Sequence, residues 1–299
     1  MSDFVLEDTL LGRHIPSPEK YDASLLFRIP RSENRNRYNI DASHLPFVGY
    51  DVWNCYEISF LTNNGLPVSR VMKMMYSADS QFIVESKSLK LYLYSFNMDH
   101  FGKTAEEAIG RVVETIQTDL EQLLQTNVQI SFFDEDSKVE KPFPMLQQAD
   151  LCSIVTLEKL ESMTFTRFVE SPELLVGKLT DKEHTYSFRT DLLRSNCRVT
   201  NQPDWGDLFL RITTKYDIDL SSIVSYLISF RKENHFHEEV VEMIYKRFYD
   251  IFKPEKLMVA ALYTRRGGID INPIRASHLE LIDEALINMK VRMEKTLRQ

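Results

Sequence analysis

Four short segments of the sequence carry residue types that do chemistry. One of them holds Cys197 and Asp204, seven positions apart, with Asn, Gln, Pro, Trp and Gly around them. A cysteine near an acid is typical of a nucleophile whose proton passes to a base. The structural alternative is that a lone cysteine is a small buried hydrophobe beside a loop carboxylate. The composition of this segment predicts neither a buried strand nor a simple turn.

The other three segments offer acid–base, phosphate-binding and mixed polar groups. His237 and Glu238 begin a predicted long helix, where Glu238 is either a partner of the helix dipole or half of an acid–base pair. The T-R-R-G-G segment at 264–268 joins paired arginines to flexible glycines, which suits phosphate recognition or a strand-end turn. The E-S-K segment at 85–87 combines a carboxylate, a hydroxyl and an ammonium group. Together they fit a polar ligand with a phosphate at one end.

The elements that must position these segments occur twice in the same order. The patterns predict strand, strand, helix, helix, strand in residues 51–134 and again in 184–275. Y-L-Y-S-F at 92–96 matches Y-L-I-S-F at 226–230, and each is followed by a His-Phe pair and a long amphipathic helix. An internal duplication is the simplest explanation. We therefore predict an α+β fold of two modules, each an antiparallel sheet with two helices on one face.

The rest of the chain is interpreted as connecting segments. We predict an irregular N-terminal arm over residues 1–50 and a linker over 135–183. Residues 276–299 are predicted to form a C-terminal helix, with apolar residues at helical spacing between Leu279 and Leu297. Four of the five arginines of the arm are interpreted as a solvated basic loop, with an anion site as the alternative: Arg13, Arg31, Arg35 and Arg37.

Composition limits the class of function. The formal charge of −8 argues against a broad nucleic-acid footprint, which needs a basic face. Three scattered cysteines are too few for a disulfide framework, and the acidic N-terminus does not resemble a signal peptide. No apolar run reaches the length of a transmembrane helix. We therefore expect a cytoplasmic protein that acts on a small molecule and not on nucleic acid or membranes.

With these residues assembled, the sequence resembles the NADPH-dependent 7-cyano-7-deazaguanine reductases, the nitrile reductases of queuosine biosynthesis, in their long two-module form. E-S-K-S-L-K-L-Y-L at 85–93 carries the family's signature and separates it from zinc-dependent relatives, the GTP cyclohydrolases I. Residues 134–183 add little to the match. The other matching segments are Y-D-A-S-L-L at 21–26, P-R-S-E-N-R at 30–35, L-P-F-V-G-Y-D-V-W at 45–53, S-N-C-R-V-T-N-Q-P-D-W-G at 195–206, F-H-E at 236–238 and Y-T-R-R-G-G-I-D-I-N-P at 263–273.

The resemblance implies a fold, an assembly and a reaction. The family has the tunnelling fold, in which modules join edge to edge and sites form between them, and its long members look like homodimers. NADPH would be the cofactor. Two hydride transfers would take the nitrile through an imine to the aminomethyl product.

The resemblance also implies roles for individual residues. Cys197 would attack the nitrile carbon to form a covalent thioimide, and Asp204 would be the proton donor to the nitrogen. His237 would take part in catalysis and contact the substrate, while Glu238 would hold the N–H edge of its guanine-like ring. The remaining implied contacts are Val84, Glu85 and Ser86 for the substrate, and Ser86, Lys87, Arg266 and Gly267 for NADPH, with no metal.

Two other functions stay open from the residues alone. A zinc-dependent pterin or purine cyclohydrolase on the same fold would use metal ligands such as His235 and His237, although a second suitable cysteine is lacking. A non-catalytic ligand-binding protein on the duplicated fold is the other alternative. The presence of Cys197 and Asp204 together with the His-Glu pair argues against it.

Overall fold

The computed structural model describes residues 18–136 and 140–299, so Arg13 lies outside the described residues. Both halves of the chain contain strands and helices. The strands are β1 (Arg28–Pro30), β2 (Val48–Leu61), β3 (Pro67–Ser77), β4 (Phe82–Val84), β5 (Val128–Phe133), β6 (Glu140–Lys141), β7 (Gly177–Cys197), β8 (Pro203–Ile218), β9 (Asn234–His235), β10 (Lys256–Tyr263), β11 (Ile269–Ala276) and β12 (Arg292–Met293). The helices are α1 (Ser32–Arg37), α2 (Ser86–Tyr94), α3 (Ala105–Leu124), α4 (Leu151–Val155), α5 (Leu157–Ser162), α6 (Leu220–Ser229), α7 (His237–Phe252) and α8 (Glu284–Ile287).

One eight-stranded sheet runs through both halves, in the order β5-β3-β2-β11-β10-β8-β7-β9. The pairs from β5 to β7 are antiparallel, and β9 adds to β7 in parallel. The two halves meet where β2 pairs with β11, with Trp53 opposite Ile271. The sheet therefore gives both modules one rigid frame.

The two faces of the sheet bury different partners because side chains alternate along each strand. On β2, Trp53 packs in a core with α2 and α3, and on β10, Val259 packs in a second core with α6 and α7. Their neighbours Val52 and Met258 face the opposite side, where they pack against Phe143 and residues of the C-terminal segment. Both helix pairs therefore cover one face, and the predicted α+β fold of two duplicated modules is confirmed.

The sequence also predicts a helix cap at Thr104 and Glu107, a strand from Val128 to Phe133 and a hairpin across the N-N-G turn at 63–65, and the structure confirms all three. The side chain of Thr104 accepts a hydrogen bond from the backbone N–H of Glu107 and caps α3. Strand β5 has the predicted bounds, and β2 and β3 form the predicted hairpin. At its turn Gly65 adopts a φ of 85°, a left-handed conformation that glycine reaches without a steric cost.

Three predictions are wrong. The 276–299 segment is not one helix but a 3₁₀ turn, the short α8 and β12, because its apolar side chains pack on the face of the sheet opposite the helix pairs. The 1–50 arm contains β1 and α1, and its Arg31 and Arg35 are buried rather than solvated. The 135–183 linker contains α4, α5 and the start of β7. The strands of the second hairpin are also longer than expected, because the polar segment around Cys197 extends β7 to Cys197 and begins β8 at Pro203, with buried and half-buried side chains in alternation.

Candidate active site

A cavity of about 240 Å³ opens between the two modules on the helix-covered face of the sheet. Its walls come from both modules. The first module contributes the start of α2, and the second contributes the start of α7, the β7–β8 hairpin and the β10–β11 loop. The residues that line it are Trp53, Val84, Ser86, Lys87, Lys90, Cys197, Thr200, Gln202, Asp204, His235, Phe236, His237, Glu238, Thr264, Arg266, Gly267, Ile269 and Ile271.

The β7–β8 hairpin places Cys197 and Asp204 on one side of the sheet. Ser195 pairs with Asp204, and the backbone N–H of Cys197 donates to the carbonyl of Gln202 at 2.8 Å. Paired residues of an antiparallel ladder point to the same face, and so do residues two apart. The thiol and the carboxyl are therefore diagonal neighbours, and the thiol is free and partly exposed to the cavity.

The Asp204 carboxylate contacts a cation and an imidazole. Arg266 donates from Nη1 to Asp204 Oδ1 at 2.6 Å, and His237 Nε2 lies 3.4 Å from Oδ2. The His237 ring stacks on Tyr263, with the ring centroids 3.8 Å apart. Stacking fixes the plane of the imidazole, so that its Nε2 faces the acid.

A set of ion pairs holds the start of α7. Glu239 accepts from the backbone N–H of Phe236 at 3.0 Å and from Arg198 at 2.9 Å. His235 Nε2 lies 2.9 Å from Glu233 and its Nδ1 lies 3.4 Å from Glu239. Although burial opposes it, these hydrogen bonds raise the pKa of His235 above its ordinary value. Both ring nitrogens of His235 thus face carboxylates.

A zinc-dependent enzyme would need His, Cys, Asp or Glu side chains grouped as metal ligands. No group of three or more His, Cys, Asp or Glu side chains in residues 18–136 and 140–299 is placed to hold a metal ion.

Glu238 lies at the bottom of the cavity, almost fully buried. Burial raises its pKa to about 8, and the charge of nearby Asp51 adds to that effect. Its Oε1 has no hydrogen-bond partner within the described part of the chain, and the same holds for other atoms that line the cavity, namely Trp53 Nε1, His237 Nδ1 and Thr264 Oγ1. Buried polar groups without partners are costly, so these atoms indicate a polar ligand.

The raised pKa of Glu238 predicts how stability depends on pH. Between about pH 4.5 and 8 the folded protein keeps a proton on Glu238 that the unfolded chain loses, so stability from this group falls as pH rises. We expect Glu238→Gln to be more stable than the unsubstituted protein at pH 8 and to lose this slope. Urea unfolding across that range checks it, with the exposed Glu114→Gln as control. Equal slopes in all three proteins would contradict the assignment.

Asp51 belongs to a buried ionic cluster behind Glu238, which we call the arginine cluster: Arg31, Arg35, Arg275, Asp51 and Glu242. Arg275 donates to Asp51 at 2.8 Å and to Glu242 at 2.9 Å, and Arg35 donates to Glu242 at 2.8 and 2.9 Å. Arg31 also pairs with Asp51. The cluster joins the N-terminal arm, β2, β11 and α7, and so fixes the start of α7 relative to the first module.

The start of α2 forms the opposite wall. Glu85 caps the helix by accepting from the backbone N–H groups of Lys87 at 2.9 Å and Ser88 at 2.7 Å. Ser86, Lys87 and Lys90 line the cavity, whereas Glu85 does not. Both carboxylate oxygens of Glu85 already accept hydrogen bonds from the backbone of α2. This geometry therefore does not support a direct contact between Glu85 and the substrate.

The cavity brings together nearly all of the residues that the sequence singled out. Val84, Ser86 and Lys87 meet Cys197, Asp204, His237, Glu238, Arg266 and Gly267 there, and only Glu85 stands behind the wall. Sequence reasoning missed Lys90 and Tyr263. Lys90 has a signal, since three residues after Lys87 on a helix is the same face. Tyr263 has no such signal, because it acts by stacking on the His237 ring, and His237 belongs to a different element, α7.

Comparison with known proteins agrees with this cavity and its two-module frame. The family described as nitrile reductase, 7-cyano-7-deazaguanine-reductase N-term matches residues 17–132, and the QueF-like protein family matches residues 203–280. The chain belongs to the QueF nitrile reductase family.

Curated relatives span nearly the whole chain, and each is named NADPH-dependent 7-cyano-7-deazaguanine reductase. The protein of Colwellia psychrerythraea is 37% identical over 92% of this chain and 93% of its own. That of Acinetobacter baumannii is 36% identical over 92% and 95%, and that of Hydrogenovibrio crunogenus 37% over 93% and 95%. A solved apo archaeosine synthase QueF-Like covers 32% of this chain at 12% identity with a TM-score of 0.28, too low to add to the assignment.

Proposed function

We propose that this chain is an oxidoreductase that uses NADPH to reduce 7-cyano-7-deazaguanine to its aminomethyl product. The observation that carries the proposal is one cavity in which a free thiol, Cys197, lies beside a buried acid, Asp204, opposite a wall of cations. A nitrile is a weak electrophile, and a thiol that adds to it first makes a C=N group that a protonated acid can activate. The full-length relatives carry the same activity in their names.

The first step needs only residues of this chain and the substrate. Sγ of Cys197 forms a bond to the nitrile carbon while one π bond of the C≡N group breaks. The thiol proton passes to Asp204 and from there to the nitrogen, which gives a thioimide with no net gain or loss of electrons. The fixed imidazole of His237 holds the second carboxylate oxygen of Asp204 toward the cavity.

Glu238 is proposed to bind the ring edge of the substrate. A guanine-like edge carries adjacent N–H donors, and Glu238 offers an oxygen that lacks a partner at the bottom of the cavity. On binding, those donors would stabilise the charged carboxylate and so offset the burial that raises its pKa. Apolar walls from Val84 and Ile271 would cover the faces of the ring.

The other end of the cavity fits the phosphates of NADPH. Lys87, Lys90 and Arg266 line it, and Gly267, with a φ of 56°, lets the Lys90 ammonium lie against its backbone where a Cβ would otherwise stand. When bound, NADPH supplies hydride twice, four electrons in all. Lys87 stands in the first turn of α2, so the start of this helix holds its side chain at the cavity.

Removing one of these cations tests the cofactor end. We expect Lys87→Ala to raise the KM for NADPH by about tenfold or more, because a hydrogen bond to a charged group contributes about 1.5–3 kcal/mol. The dissociation constant of the nitrile, measured by calorimetry without cofactor, is expected to change less than twofold. An unchanged KM for NADPH would contradict the assignment of Lys87.

The reaction itself is tested by mixing protein, NADPH and 7-cyano-7-deazaguanine and following the cofactor's near-ultraviolet absorbance. We expect substrate-dependent loss of two NADPH per nitrile. The cyclohydrolase alternative would instead show bound zinc and hydrolysis of a nucleoside triphosphate. The non-catalytic alternative would show binding without turnover, and either outcome would overturn the proposal.

Assembly and location form part of the same proposal. We expect a homodimer in the cytoplasm with a free small-molecule substrate and not a nucleic acid, consistent with the charge of −8. Strand β5 is the end strand of the sheet, an element by which a second copy can extend it. No helix within the described residues is long and apolar enough to cross a membrane. Sedimentation equilibrium tests the dimer, and a monomer mass would contradict it.

A further inference from the structure

The Arg266 side chain contacts both a buried carboxylate and solvent. Its guanidinium donates to the buried Asp204 at 2.6 Å, yet the side chain is 44% exposed at the mouth of the cavity. The backbone around it is fixed: the N–H of Arg266 donates to the carbonyl of Ile269 at 2.8 Å, and the N–H of Ile269 donates back at 3.1 Å. The side chain can therefore exchange partners without moving the loop.

Two anions compete for this guanidinium in the reaction proposed above. Asp204 is its one ion-pair partner among residues 18–136 and 140–299. A bound phosphate beside Lys87 and Lys90 would be the other, and a guanidinium fork matches phosphate oxygens better than a single carboxylate oxygen. When the pair separates, the exposed Arg266 guanidinium can be solvated by water or bind the phosphate. The buried Asp204 carboxylate can only turn to a partner inside the cavity.

We infer that Arg266 is a positioning residue that pairs with Asp204 while the cofactor end is empty, as during thioimide formation, and releases Asp204 when a phosphate binds. The inference rests on the proposed function. While paired, Arg266 stands beside the carboxylate that accepts the thiol proton. After release, the carboxyl is free to turn toward the substrate nitrogen for the hydride transfers that follow. By linkage, phosphate binding and the release of Asp204 favour each other.

A variant at 266 keeps every other titratable or charged side chain of the cavity lining around Asp204. These are Cys197 from β7, His235 from β9, His237 and Glu238 from α7, and Lys87 and Lys90 from α2, with Tyr263 of β10 stacked on His237. A comparison of variants at 266 alone therefore isolates the effect of this pair.

The test measures thioimide formation without NADPH, by stopped reaction and intact-protein mass, as a function of pH. In Arg266→Gln we expect the acidic limb of the rate profile to move to higher pH by about one unit, a modest shift because the cation is partly exposed. In the unsubstituted protein, adenosine 2′,5′-bisphosphate is expected to cause a shift in the same direction, since it offers phosphates but no hydride. It is expected to have no such effect in Arg266→Gln.

Arg265→Gln is the matched control, because Arg265 lies next in the chain and stacks on Tyr56 at 3.4 Å outside the cavity lining. Its profile is expected to match that of the unsubstituted protein. An unmoved limb in Arg266→Gln, or an equal response of both proteins to the bisphosphate, would overturn the inference and leave the proposed function standing. Absence of any adduct in the unsubstituted protein would overturn both.

Discussion

Cys197→Ala is expected to lower the rate of nitrile reduction by about 10³-fold or more while the fold remains intact. The expectation follows because no other free thiol lies in the cavity lining, so no residue there can replace the sulfur–carbon bond. Alanine leaves only a small gap at a partly exposed site. Turnover measured with NADPH and 7-cyano-7-deazaguanine gives the result.

Cys152→Ser is the control for this variant. Cys152 is also free and only partly buried, but it lies on α4 and outside the cavity lining. Its substitution is expected to leave turnover within about twofold. Turnover in Cys197→Ala within tenfold of the unsubstituted protein would contradict the role of Cys197 as the nucleophile.

Glu242→Gln is expected to lower the free energy of unfolding by about 3–5 kcal/mol. Glu242 accepts hydrogen bonds from both Arg35 and Arg275, and the charges of these buried arginines hold its pKa at about 2 despite the burial that opposes ionisation. Neutralising it leaves three buried guanidinium groups with Asp51 as their only carboxylate in the arginine cluster. Urea denaturation at neutral pH measures the loss.

The exposed Glu114→Gln on α3 serves as the control and is expected to change stability by less than about 0.5 kcal/mol. Because the cluster holds α7 against the first module, Glu242→Gln is also expected to weaken nitrile binding. A loss of stability below 1 kcal/mol would contradict the view that the cluster joins the two modules.

The sequence predicted the duplicated fold because both copies keep local signals that depend on nearby residues. Thr104 and Glu107 mark the start of α3 by capping chemistry alone, and Asn63 to Gly65 mark a turn by backbone preference. The convergence of Cys197 and Asp204 was also accessible, since a hairpin register relates them. Lys87 and Lys90 are likewise related by local spacing, since residues three apart on a helix lie on the same face.

What the sequence did not predict depends on distant partners. The buried state of Arg31 and Arg35 needs Asp51 and Glu242, which lie far along the chain. The C-terminal segment has helical spacing, yet its apolar side chains pack on the second face of the sheet, so tertiary contacts override the local pattern. Glu85 is the opposite case, because a local contact replaces a predicted ligand contact. Its carboxylate accepts a hydrogen bond from the backbone N–H of Ser88 in its own helix and does not line the cavity.

The central claim is that a cysteine of this cavity forms a covalent bond to the nitrile. The most direct measurement is the intact mass of the protein after incubation with 7-cyano-7-deazaguanine in the absence of NADPH, followed by peptide mapping. The account predicts a mass increase of one substrate molecule per chain, located on the peptide that contains Cys197 and lost when NADPH is added. An unchanged mass, or an adduct on Cys55 or Cys152, would contradict it.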